Sequence, residues 1–66
     1  SDGDIVLVEQ EQEVPEGQVG IFAVNGAGYI KKAGRRKLIS ANKKYDDISI
    51  GPDDSVRCFG LVIGKL

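Results

Sequence analysis

Sixty-six residues hold one domain at most, and a chain this short buries only about 60% of the surface its unfolded form exposes, so its core is thin. A single cysteine, Cys58, excludes an intrachain disulfide, and the absence of histidine excludes the usual zinc-finger and Ser-His arrangements. The net charge of −1 points to no partner by itself, and no apolar run approaches the ~20 residues of a membrane span.

In chain order, Asp2-Gly3 is a turn signal, and Asp4-Ile5-Val6-Leu7-Val8-Glu9 behind it is too short and too β-branched for a helix. It reads as a strand. Residues 10–18 are polar and acidic and contain Pro15-Glu16-Gly17, where proline presets φ and glycine admits a positive φ at a turn. Val19-Gly20-Ile21-Phe22-Ala23-Val24 is a second strand, and Asn25-Gly26 is among the strongest short-range hairpin signals. The chain is expected to double back through Tyr29-Ile30-Lys31-Lys32, turn at Gly34-Arg35-Arg36, and continue as Lys37-Leu38-Ile39-Ser40. Residues 41–54 carry turn-forming side chains, with Ile48 and Ile50 pinning the loop to the core, and little regular structure is expected there. Residues 56–66 form a long closing strand whose Gly60 and Gly64 suggest a bulge or bend. No segment shows a 3.6-residue apolar period. The fold class is therefore all-β, a small coiled sheet or partly open barrel of about five strands in a single domain over residues 1–66.

The charges are sorted along the chain. Residues 1–18 hold six acids and no bases, whereas Lys31, Lys32, Arg35, Arg36, Lys37, Lys43 and Lys44 follow with no acid between Val19 and Lys44. Complementary solvent-facing charges on neighbouring strands account for this without a ligand. The alternative is a nucleic-acid patch, which ordinarily brings several aromatic side chains for stacking, and this chain has four in all. Cys58, between Arg57 and Phe59, reads as a small buried hydrophobe of a reduced, cytoplasmic protein. No cluster of side chains implies a metal or an organic cofactor.

The order of elements resembles the LexA-like serine peptidase family, which includes phage CI-type repressors and the UmuD mutagenesis proteins. Asp2-Gly3-Asp4-Ile5-Val6-Leu7-Val8 is similar to the strand that follows the family's nucleophile. Val14-Pro15-Glu16-Gly17-Gln18-Val19-Gly20-Ile21-Phe22 is similar to its next strand and the approach to it. Tyr29-Ile30-Lys31-Lys32 stands where the family has a hydrophobic-Lys-Arg step. Leu38-Ile39-Ser40-Ala41-Asn42 through Tyr45, and then Gly60-Leu61-Val62-Ile63-Gly64, look like its late loop and C-terminal strand.

The resemblance implies a Ser-Lys dyad that cleaves the repressor's own linker in cis, with Lys31 as general base. A free lysine has a pKa of about 10.4, so that role requires burial to lower it. Strand alternation puts Lys31 and Lys32 on opposite faces, so at most one enters a dry site. The family's serine falls before the Asp-Gly-Asp strand. Ser1 stands too close to that strand, and Ser40, Ser49 and Ser55 lie in turn-rich segments where local hydrogen bonds explain them. These residues alone are therefore expected to lack peptidase activity.

In the family the C-terminal domain pairs two repressors. Strand 56–66, through Val56, Cys58, Phe59, Leu61, Val62 and Ile63, is the expected homodimer element, because a terminal apolar strand leaves backbone groups open to another chain. DNA is expected to be contacted only through a separate N-terminal domain. Two competing readings are a fragment of a signal-peptidase-like endopeptidase, which shares the dyad chemistry, and a small nucleic-acid-binding barrel that uses the bases from Lys31 to Lys44.

Overall fold

The computed structural model describes residues 3–66. Ser1 and Asp2, and with them the start of the Asp-Gly turn, lie outside the described residues. Six strands follow one another without a helix: β1 Val6–Glu9, β2 Val19–Val24, β3 Ala27–Gly34, β4 Lys37–Ile39, β5 Ile48–Ser49 and β6 Val56–Lys65. Among the described residues no helix is long and apolar enough to cross a membrane. The strands form one antiparallel sheet in the order β1-β6-β2-β3-β4-β5. It is open, with β1 and β5 as its edges. The expected all-β class is what folds, with one more strand than anticipated.

The β2–β3 hairpin is a two-residue turn closing on the Val24–Ala27 pair. Asn25 and Gly26 both take positive φ, +50° and +87°, the backbone that matches the right-handed twist of paired strands. Asn25 also ties the loop before β6 to this turn: its Nδ2 donates to Asp54 Oδ1 at 3.0 Å, and its Oδ1 accepts from the Ser55 N–H at 2.9 Å. Upstream, the Pro15-Glu16-Gly17 turn closes with Gln18 N–H donating to Pro15 O at 3.1 Å, Gly17 taking φ +89°. Reciprocal bonds from Gly17 N–H to Ala33 O and from Ala33 N–H to Gln18 O fasten that turn to the end of β3.

Opposed residues in an antiparallel pair share a face of the sheet, and alternate residues switch faces. One face collects Phe22, Val24, Ala33 and Leu38, all buried, with Val14, Ile48, Ile50 and Cys58 packed against them. Ile48 and Ile50 pin the 41–54 loop as expected, but Ile48–Ser49 does so as a strand, because Ile48 stands opposite Leu38 in register.

β6 lies inside the sheet order, but its two partners cover different halves: β1 pairs with it over Leu61–Lys65 and β2 over Val56–Leu61, so among the described residues each half keeps one side without a strand partner. Cys58 faces the core, and Val56, Leu61 and Val62 stand in register with Val24, Gly20 and Val8. Phe59 and Ile63 are the extra residues at two register shifts, beside Gly60 and Gly64, and both are exposed, at 49% and 56%. Glycine is required at position 60, where a Cβ would overlap Val8 Cγ1 and lie 3.1 Å from the Glu9 carbonyl oxygen.

Candidate active site

The hairpin register decides which of the two adjacent lysines enters the protein. Lys31 stands opposite Gly20, on the face shared with Phe22 and Ala33, and is 9% exposed; Lys32, one residue on, is exposed on the other face. A lysine is rarely buried without a partner. Among the described residues no ion pair or hydrogen bond engages the Lys31 ammonium, whose one charge contact is the Tyr29 ring, 5.6 Å from Nζ to the centroid. No buried side-chain nitrogen or oxygen among the described residues lacks a hydrogen-bond partner. The Lys31 amine, with no acceptor in reach, therefore keeps a small contact with water.

That contact opens into two shallow cavities that share Lys31 and Tyr45. One, of ≈ 440 Å³, lies between Tyr29, Lys31, Tyr45 and Ile48, with Asp46 at its margin. The second, of ≈ 400 Å³, continues past Lys31 to Ser40, Asn42, Ile30 and Val6, with the charged Asp4 and Lys65 also in its wall. Lys31 thus sits where a strand face meets the 41–46 loop, among aromatic, aliphatic and charged side chains. The two cavities leave open space beside the amine.

The serines are differently placed. Ser40 borders the Lys31 cavity and is 3% exposed, but its Oγ donates to the Asn42 carbonyl at 2.9 Å and its N–H donates to Asp47 Oδ1 at 2.9 Å. No hydrogen bond joins it to Lys31. It holds the loop in shape. Ser49 is an exposed residue of β5, and Ser55 donates its backbone N–H to Asn25. None of the three is aimed at the lysine as a nucleophile would be. Sequence reasoning singled out Lys31 and did not reach the residues that line the cavities beside it. Tyr29 was within reach, since it lies two residues before Lys31 on the same strand face; Tyr45 and Ser40 come from a loop, where no periodicity marks them.

Cys58 is half-buried, its thiol 3.3 Å from the Glu11 carbonyl and 3.6 Å from that of Gly60. Together with Val56 and Phe59 it floors a groove bordered by residues 10–12. That groove is separate from the Lys31 cavities.

A buried lysine on the return arm of a β hairpin thus lies beside two cavities of an open antiparallel sheet. The family model described as Peptidase S24-like matches residues 1–63. The chain belongs to the Peptidase S24-like family.

Proposed function

We propose that this chain carries the lysine half of a Ser-Lys peptidase site, Lys31 being the general base, within the C-terminal regulatory and dimerisation domain of a self-cleaving LexA-like repressor of the phage CI type. The observation that supports this most is the division of the lysine pair: Lys31 is withdrawn from water beside a cavity, while Lys32 is solvated. A lysine accepts a proton only as the neutral amine. Lys31 takes the hydroxyl proton as the serine oxygen attacks the scissile carbonyl carbon. It then returns that proton to the departing amine nitrogen, and water hydrolyses the acyl-serine.

The hydroxyl comes from a serine N-terminal to these residues, since Ser40, Ser49 and Ser55 are otherwise engaged or turned away. The 66 residues alone are therefore inactive. The substrate is the parent's own linker, held in cis, and its cleavage separates this domain from a DNA-reading N-terminal one. Pairing of two copies uses β6, with Phe59 and Ile63 as its exposed side-chain anchors.

The test extends the chain N-terminally through its own coding sequence and follows self-cleavage by gel. Cleavage is expected in the parent and in Lys32→Ala, and is expected to be lost in Lys31→Ala. Retained cleavage in Lys31→Ala, or turnover of a linker peptide by the 66 residues alone, overturns the reading; an upstream segment without serine leaves an assembly domain only.

A further inference from the structure

Of the bases that the sequence gathers between Lys31 and Lys44, four come together on the β3–β4 hairpin and two lie in the turn that follows the other end of β4. Lys32 and Lys37 share the face opposite the core, on adjacent strands, from the pairs Lys32–Ile39 and Gly34–Lys37. Arg35 and Arg36 form the two-residue tip between them, and Lys43 and Lys44 occupy the exposed turn after β4. All six side chains are exposed.

Complementary charge across the sheet, the ligand-free explanation, is not what forms. Among the described residues the ion pair is Asp4–Lys65, at 3.2 Å, on β6 and the segment before β1; none of the six bases is in one. Nearby carboxylates are used otherwise: Asp47 accepts from Ser40, and Asp54 accepts from Asn25 and Gly51. Glu16, in the turn fastened to Ala33, forms no ion pair with them either. Like charges on adjacent strands lower stability. Six exposed cations with no ion pair among the described residues leave this surface open to an external counter-charge, in a protein whose net charge of −1 gives polyanions no general attraction.

We infer that this basic hairpin, Lys32, Arg35, Arg36 and Lys37 with Lys43 and Lys44, binds the phosphodiester backbone of a nucleic acid. This goes beyond the proposed peptidase role and departs from the expectation that DNA is met only through a separate domain. Two arginines at a projecting tip suit phosphate oxygens, to which guanidinium forks bond in pairs. Tyr45, exposed beside Lys44, is the one aromatic side chain adjoining the six in sequence, so phosphate contact rather than base stacking is expected to dominate.

The experiment is fluorescence anisotropy of the 66-residue chain with a short mixed-sequence DNA duplex, a single-stranded RNA, and polyglutamate. Binding to the duplex is expected to weaken with salt, log K falling with log salt by about 3 to 5, close to 0.9 for each phosphate neutralised. Arg35→Gln/Lys37→Gln and Lys43→Gln/Lys44→Gln are each expected to reduce that slope by roughly 2, and Lys65→Gln to leave it unchanged. Preference for the duplex or for the RNA identifies which nucleic acid supplies the phosphates. The inference is overturned by absence of binding at ~50 mM salt, by equal binding of polyglutamate, or by a slope indifferent to the paired substitutions. Self-association that those substitutions abolish in sedimentation also overturns it, since the acidic residues 9–16 of a second copy would then be the occupant.

Discussion

Lys31 is the residue at which this protein should gain stability on substitution, and the gain can be measured without any assay of its proposed role. Replacing Lys31 by Met keeps an unbranched side chain on the face shared with Ala33 and removes the charge. A buried polar group without a partner costs about 1–3 kcal/mol, more if charged. Because the amine keeps a little water, the lower half of that range applies, ~1–2 kcal/mol. The Tyr29 ring, 5.6 Å from Nζ, returns about 0.5–1 kcal/mol. The balance is a gain of roughly 1 kcal/mol for Lys31→Met, or an increase in Tm of about 4–8 °C for a domain of this size. Lys32→Met, on the solvated face, should stay within about 0.5 kcal/mol of the parent. Both are read by thermal and urea unfolding followed by far-UV circular dichroism. A Lys31→Met protein no more stable than the parent, or two variants that shift together, would refute the reasoning, because the cost assigned to the buried amine would not exist.

Two further outcomes follow from the sheet and its loops. Gly60→Ala forces a methyl into Val8 Cγ1 and against the Glu9 carbonyl, and is expected to cost about 1–3 kcal/mol in urea unfolding; adding Val8→Ala should recover part of that loss, and no recovery would show that the close approach is not the cause. The Asp54 carboxyl is held below its ordinary range, first by the Asn25 side-chain amide and then by the Gly51 N–H. A depressed carboxylate adds stability above its unfolded pKa and loses it as pH falls through the folded one. The advantage of the parent over Asp54→Asn should therefore shrink on acidification below about pH 4, and a difference constant across that range would remove the linkage.

Local chemistry made most of the elements legible. β2 was read with its observed bounds because a β-branched and aromatic run ends at Asn-Gly, a pair with one strongly preferred turn. β5 was not read, since two residues cannot display a period and Ile48 becomes a strand only because Leu38 stands opposite. The neighbours of β6 were not legible for a related reason. Its pairing with both β1 and β2 is non-local, joining residues over forty positions apart at one side, and nothing local distinguishes an inner strand from an edge. Gly60 and Gly64 did carry the signal, as markers of the two register shifts beside them. Charge was the least legible property: the acidic and basic segments look complementary along the chain, but complementarity requires adjacency, and the bases were placed beside one another.

The candidate site shows why a register can matter more than a residue. Lys31 and Lys32 have the same chemistry, and either could have been the buried one. Asn25 and Gly26, both at positive φ, close a two-residue turn and set Gly20 opposite Lys31; a slip of one residue would exchange the faces of both lysines. Gly20 then completes the setting. Where its side chain would stand, Val14 Cγ2 comes within 2.6 Å and the Phe22 ring within 3.0 Å of the Cβ position. The cross-strand neighbour of Lys31 is thus an apolar surface made by other residues over a glycine. A larger residue at position 20 would displace Val14, loosen the 10–18 segment from the sheet and let water in behind the lysine. The environment of the amine is therefore encoded on β2 and in the turn as much as on the strand that carries it.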